Sequence, residues 1–166
     1  MPAAVKIHEM TASTAGVDKT SGTIRFKSAN STLVDTSNRL SVPGVGTNRS
    51  FTKQIRFYVA TAPSVDIQNL AAYTDGANSF GTGVSVAYTY SATENFVSNA
   101  SSDISGADLF DAVAGTPIDM DAACASSEFL GTGYKGGTLK LQMAVASTAS
   151  AGTLSAETLT MSYDET

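Results

Sequence analysis

His8 and Cys124 are the one histidine and the one cysteine of the chain. Catalysis by an attacking thiol or hydroxyl would therefore have to run through His8. A reactive thiolate needs a base or cation beside it. Cys124 instead sits in Ala122-Ala123-Cys124-Ala125, a setting for a small apolar residue, and His8 falls on a different predicted strand. No serine stands in a G-x-S-x-G elbow, and a lone cysteine leaves no intramolecular disulfide.

Oxygen-rich loops offer a second chemistry. Asp119 and Asp121 flank Met120, Asp103, Asp108 and Asp111 lie upstream, and Asp75-Gly76-Ala77-Asn78 resembles a fragment of a calcium loop. Calcium gathers about six to eight oxygens. These spacings do not complete an EF-hand, and Asp and Asn suit turns on conformational grounds alone. Glycoside hydrolysis needs two positioned acids in a cleft, usually with aromatic walls. The chain has no tryptophan, and Tyr73, Phe80, Tyr88 and Tyr90 are expected to divide between core and sheet surface. Gly131-Thr132-Gly133-Tyr134-Lys135-Gly136 matches G-x-G-x-x-G, with Glu157 downstream. A pyrophosphate site requires a helix N-terminus after those glycines, whereas the following residues alternate like a strand. The run reads as a glycine turn. No catalytic residue, metal ligand or cofactor-binding residue is assigned, and no cofactor is expected.

The totals point the same way. At 166 residues the chain is the size of one domain with a real core. Charged residues make up 15% of it, well below the usual share of about a quarter. Ser, Thr, Gly, Ala and Asn fill the deficit. A net charge of −5 argues against nucleic-acid binding, which draws its affinity from clustered Lys and Arg. The modest gathering of Arg49, Lys53 and Arg56 reads as an exposed strand face, with Lys blunting an edge. The first residues lack the apolar stretch of a signal peptide, and no apolar run approaches a membrane span. The expectation is therefore a soluble protein kept in the cytoplasm where it is made, without a membrane partner. The sequons at Asn30, Asn48 and Asn99 have no secretory context and carry little meaning.

These groups would have to be positioned by strands. In Gly137-Thr138-Leu139-Lys140-Leu141-Gln142-Met143-Ala144-Val145 apolar side chains recur at every second position, the period of a β-strand with one buried face. The same alternation predicts strands over 5–10, 23–27, 50–60, 67–73, 84–90 and 157–163. In 23–27, Ile24 and Phe26 should point inward and Arg25 and Lys27 outward. In 50–60, Phe51, Ile55, Phe57 and Val59 share a face, and Lys53 breaks the pattern. Turns are expected at 35–38, 42–46 and 75–78. One short helix is expected over 105–113, capped by Ser105, with Leu109, Phe110 and Val113 covering the sheets. Residues 117–125 read as loop and 147–155 as a hairpin tip. The fold class that follows is all-β: an antiparallel β-sandwich, jelly-roll or immunoglobulin-like, with at most one short helix. Residues 1–22 form an N-terminal segment, an arm or edge strand, ahead of a sandwich domain over 23–166.

Four stretches carry a resemblance. Residues 5–13 and 16–27, Tyr73-Thr74-Asp75-Gly76-Ala77-Asn78-Ser79-Phe80-Gly81-Thr82-Gly83-Val84, and the ending 154–165 resemble virion structural proteins of tailed bacteriophages, of the head-decoration or cement type. The resemblance covers about half of the chain, in turns and strand starts. It implies a non-enzymatic homo-oligomer, with a trimer favoured, that binds the major capsid protein on the capsid exterior and stabilises the head. Residues 3–27 would then make inter-subunit or capsid contacts, and deleting 1–12 should abolish capsid binding while leaving the fold intact. The alternative is a tail, fibre or head-surface module that recognises a host glycan, which would need an exposed aromatic or calcium-lined groove.

Overall fold

The computed structural model of the chain describes residues 2–11, 16–33, 36–93, 100–124, 126 and 128–166. Expectations that fall on 12–15, Asp35, Asn99 and Ala125 lie outside the described residues.

Ten strands are present among them: β1 (Ala4–Met10), β2 (Gly16–Asp18), β3 (Thr47–Arg49), β4 (Lys53–Thr61), β5 (Ile67–Tyr73), β6 (Val84–Ser91), β7 (Ala107–Asp108), β8 (Ile118–Asp119), β9 (Gly133–Ala146) and β10 (Thr160–Glu165). The larger sheet runs β2-β1-β4-β9-β6-β7, with β3 also on β9, and the smaller runs β10-β5-β8. Every strand pairing is antiparallel. The all-β sandwich is the observed architecture.

Its core follows from the period of two. Ile55, Phe57 and Val59 of β4, Leu139, Leu141, Met143 and Val145 of β9, and Val84 and Val86 of β6 bury one face of the larger sheet. Against them pack Ile67, Leu70 and Ala72 of β5, with Ile118, Met120 and Phe129. Each of these side chains larger than alanine contributes about 1.5–3 kcal/mol by leaving water. The step from inward Ile67 to inward Leu70 needs one extra residue, and Asn69 supplies it with a φ of +54°. Its amide donates to Asp164 Oδ2 at 2.7 Å, which ties this irregularity to β10.

β9 is the spine of the molecule. Its register with β4 jumps from Ile55↔Leu139 to Phe57↔Lys135, so Gly136, Gly137 and Thr138 oppose Arg56 alone. Gly136 adopts a φ of +63°, in the left-handed region that glycine enters without penalty. The Arg56 guanidinium donates to the Gly136 carbonyl at 3.2 Å. The glycine-rich run is thus a bulge inside a strand as well as a turn before it, and no helix follows it.

Several expectations need correction. Residues 105–113 do not form an α-helix. Ser105 takes a φ of +49°, Ala107 pairs with Tyr88 as β7, and a single 3-10 turn spans Leu109–Asp111 with Asp108 as its cap. Pairing with β6 wins over helix here because Leu109 and Phe110 reach the core from the turn. Residues 118–119, expected in a loop, pair with β5. The stretch 147–155 crosses between sheets and is not a hairpin tip, since β9 and β10 belong to different sheets. Among the described residues, 23–27 join no ladder, and Lys27 is buried rather than outward. Phe51 lies ahead of β4, half-buried and outside the core.

Residues 1–22 supply β1 and β2. β1 lies between β2 and β4, with Glu9 and Met10 fully buried. Deleting 1–12 would therefore remove an internal strand, so the fold would not survive it as expected from the sequence.

Candidate functional site

The unusual chemistry of this molecule is a set of buried lysines holding one loop. Lys53 is on the core face of β4, in line with Ile55 and Phe57, and is 1% exposed. Glu9 occupies the matching inward position on β1, opposite Ile55, and is equally buried. Lys53 Nζ lies 2.8 Å from Glu9 Oε1. The other carboxylate oxygen is 3.6 Å from Lys19 Nζ. Isolated, any of these charges would carry a desolvation cost of several kcal/mol, and mutual pairing makes the position tenable.

Each ammonium also takes a main-chain carbonyl, and the three carbonyls are consecutive. Lys53 donates to Ser31 O at 2.8 Å, Lys19 to Thr32 O at 3.2 Å, and Lys27 to Leu33 O. The loop is further fixed by Leu33 N–H on Ser31 Oγ, by Ser28 N–H on Asn38 O, and by Phe51 N–H on Lys27 O. Hydrogen bonds to charged groups contribute about 1.5–3 kcal/mol each. Three of them on three successive peptides hold this segment to one conformation. That conformation presents Leu33 to solvent at 70% exposure. Val45, 87% exposed, lies on the same excursion between β2 and β3, beside Gly46, whose carbonyl accepts from Ser147 N–H. What this arrangement does chemically is hold three consecutive peptides in place at the exposed Leu33 side chain. Lys53 faces no solvent from which a substrate could reach it.

A second cluster covers the opposite face of the same strands. The His8 and Tyr58 rings stack at 4.4 Å, and Tyr134 meets both edge-on. Arg56 lies 4.9 Å over the Tyr134 ring, within cation–π range. The Tyr134 hydroxyl accepts from Gly16 N–H at 2.8 Å and lies 3.2 Å from His8 Nδ1. A Cβ at Gly16 would come within 2.7 Å of His8, Met10 and Tyr134, so only glycine lets β2 lie this close. Burial holds the His8 pKa below its ordinary value, with Lys6 adding to the effect and Asp18 opposing it. At the edge, Lys6 and Asp18 pair at 2.8 Å, which raises the lysine and lowers the carboxyl.

The residues that sequence singled out disperse. His8 neighbours Tyr58 and Tyr134, whereas Cys124 Sγ lies against Tyr90 OH at 3.2 Å and the Ala92 carbonyl. The two are not brought together. Tyr90 OH donates toward Met120 O and Ala122 O, each at 3.0 Å, and its burial pushes its pKa up. Phe80 meets Phe110 edge-on and Tyr88 packs at the core margin, so the four aromatics form no single strip. Asp103 pairs with Arg49, and Asp108 caps the 3-10 turn. Asp119 accepts from Asp121 N–H, and Asp121 accepts from Leu70 N–H. Burial and the Asp119 carboxyl raise the Asp121 pKa. Asp75 accepts from Ala77 N–H within its turn. Among the described residues no three His, Cys, Asp or Glu side chains come together as a metal site requires. The basic trio splits as well: Lys53 and Arg56 are buried on opposite faces of β4, so the exposed-face reading is corrected.

Sequence reasoning missed the lysine brace although a signal was present. Glu9 follows inward Val5 and Ile7, and Lys53 precedes inward Ile55. Each breaks an apolar alternation, and the two breaks carry opposite charges.

The chain matches no protein-family model, no curated protein and no solved structure. Among the described residues, no helix is long and apolar enough to cross a membrane.

Proposed function

We propose that this chain is a structural protein that works by docking on another protein's surface, and that this surface is the exterior of a tailed-bacteriophage head. The observation that carries the docking part is the braced loop. Large apolar side chains exposed to water cost little when scattered over mobile loops. Leu33 is instead exposed on a backbone whose neighbouring carbonyls are taken by three lysines. Pre-ordering of this kind removes much of the entropy cost that binding otherwise carries. A weakly charged surface suits close packing against a protein lattice. The choice of the capsid, and of homo-oligomeric binding to the major capsid protein, is supported by the sequence resemblance.

Cosedimentation of the purified protein with expanded empty capsid shells tests this reading. Wild-type protein should pellet with the shells, and Leu33→Asp should reduce occupancy at least tenfold with an unchanged circular-dichroism spectrum. Absence of wild-type protein from the pellet would overturn the capsid reading. Retention competed away by host glycan would favour the surface-recognition module instead.

A further inference from the structure

The sandwich is open on one side. Among the described residues the smaller sheet has three strands against a much wider partner, and β10 at its edge pairs only with β5. Beside the run that leads into β10 is a cleft of about 710 Å³. Its floor is the core face of the larger sheet, with Ile7, Val86, Leu141 and Met143, and its rims are the runs 19–26 and 153–159. Neither rim belongs to a strand. Among the described residues, Thr23-Ile24-Arg25-Phe26 and Ser155-Ala156-Glu157-Thr158 make no backbone–backbone hydrogen bond.

Both runs nevertheless have strand character. Ile24 and Phe26 alternate with exposed Thr23 and Arg25, and half-buried Glu157 and Leu159 bracket exposed Thr158. Unpaired main chain beside an apolar cleft is costly unless water or another strand satisfies it. An apolar ligand would cover the cleft while leaving those peptide groups desolvated. An added strand satisfies both needs at once. The rims are also complementary in charge. Arg25 is exposed and forms no ion pair among the described residues, and the opposite rim carries Glu157, one of whose oxygens accepts from Ser79 N–H.

We propose that these rims are the self-association edges of the chain: the 23–26 run of one copy pairs through its main chain with the 155–158 run of a second copy, with Arg25 facing Glu157 across the contact. The contact joins two different patches, so it is head-to-tail. Such a contact closes into a ring when the rotation permits and continues as a filament when it does not. Either way the mouth of the cleft is covered.

Sedimentation velocity of the full chain provides the test. The wild type should be oligomeric. Arg25→Glu and Glu157→Arg should each weaken association at least tenfold, because like charges then face each other at every contact. The double variant should recover assembly. Hydrogen exchange at 23–26 and 155–158 should slow as concentration rises. A monomeric wild type, single variants that assemble normally, or a double variant that stays dissociated would each overturn the proposal. A monomer that still pellets with capsid shells would sink this inference and leave the docking reading standing.

Discussion

The braced loop at 31–33 and the open rims at 23–26 and 155–158 are built on opposite terms. At the first, three consecutive carbonyls are each met by a lysine, and the charge that makes this tolerable is itself buried. At the second, strand-like sequence carries no backbone partner among the described residues, and Arg25 faces outward. A few residues separate the regions along the chain, since Phe26 belongs to one and Lys27 to the other. Local propensity therefore does not decide which is rigid. What decides it is whether distant residues arrive to satisfy the backbone. Lys53 reaches the loop from β4, paired with Glu9 of β1, and no described residue does the same for the main chain of the rims.

The largest expected effect breaks the braced side. Lys53→Met leaves Glu9 buried beside a weaker partner and should cost about 3–5 kcal/mol in chemical denaturation, as removal of one member of a buried pair does. The double change Glu9→Leu with Lys53→Met removes both charges and should restore most of that stability, yet the amide of Leu33, which donates to Ser31 Oγ, should still exchange faster than in the wild type. If it stays protected in the double variant, Lys53 is not what fixes the loop, and the contrast with the rims loses its basis in a residue remote along the chain.

A smaller effect belongs to the aromatic face. Burial holds the His8 pKa below its ordinary value of 6.5, so the unfolded chain takes up a proton first as pH falls. That contribution to stability is complete above the unfolded value and is lost as pH drops through the lower folded one. The melting temperature should accordingly decline between about pH 7 and pH 5, and His8→Gln should flatten that stretch. A decline of equal slope in the variant would place its origin elsewhere. The least effect is expected from the pair at the surface: Arg49 and Asp103, whose side chains are 34% and 50% exposed, lie 2.5 Å apart, and Arg49→Ala should cost under about 1 kcal/mol. A larger loss would show that short distance, not burial, governs the charged pairs here.

Much of the scaffold is legible in the residue pattern alone. β5 and β6 run within one residue of their expected bounds, and Ile55, Phe57, Val59, Leu139 and Leu141 all face inward as their spacing requires. The missed features share a cause. Residues 105–113 carry a good helix opening, but Ala107 finds a strand partner in Tyr88. Lys27 stands at an outward position of an alternating run, but the run joins no ladder and its ammonium has the Leu33 carbonyl within reach. The candidate site is half written in the sequence: Glu9 and Lys53 each stand out of an apolar alternation, but nothing in the pattern pairs the two or points to the loop that Lys53 holds.

By itself, the sequence determined that this chain is a β-sandwich and which side chains of each strand must leave water, because a period of two assigns faces wherever a strand forms. Only the tertiary structure decided which strand-like runs are paired and which charges lie inside. Alternation carries no information about partners. A buried lysine becomes tolerable only when a counter-charge and carbonyl groups, remote along the chain, converge on its one ammonium.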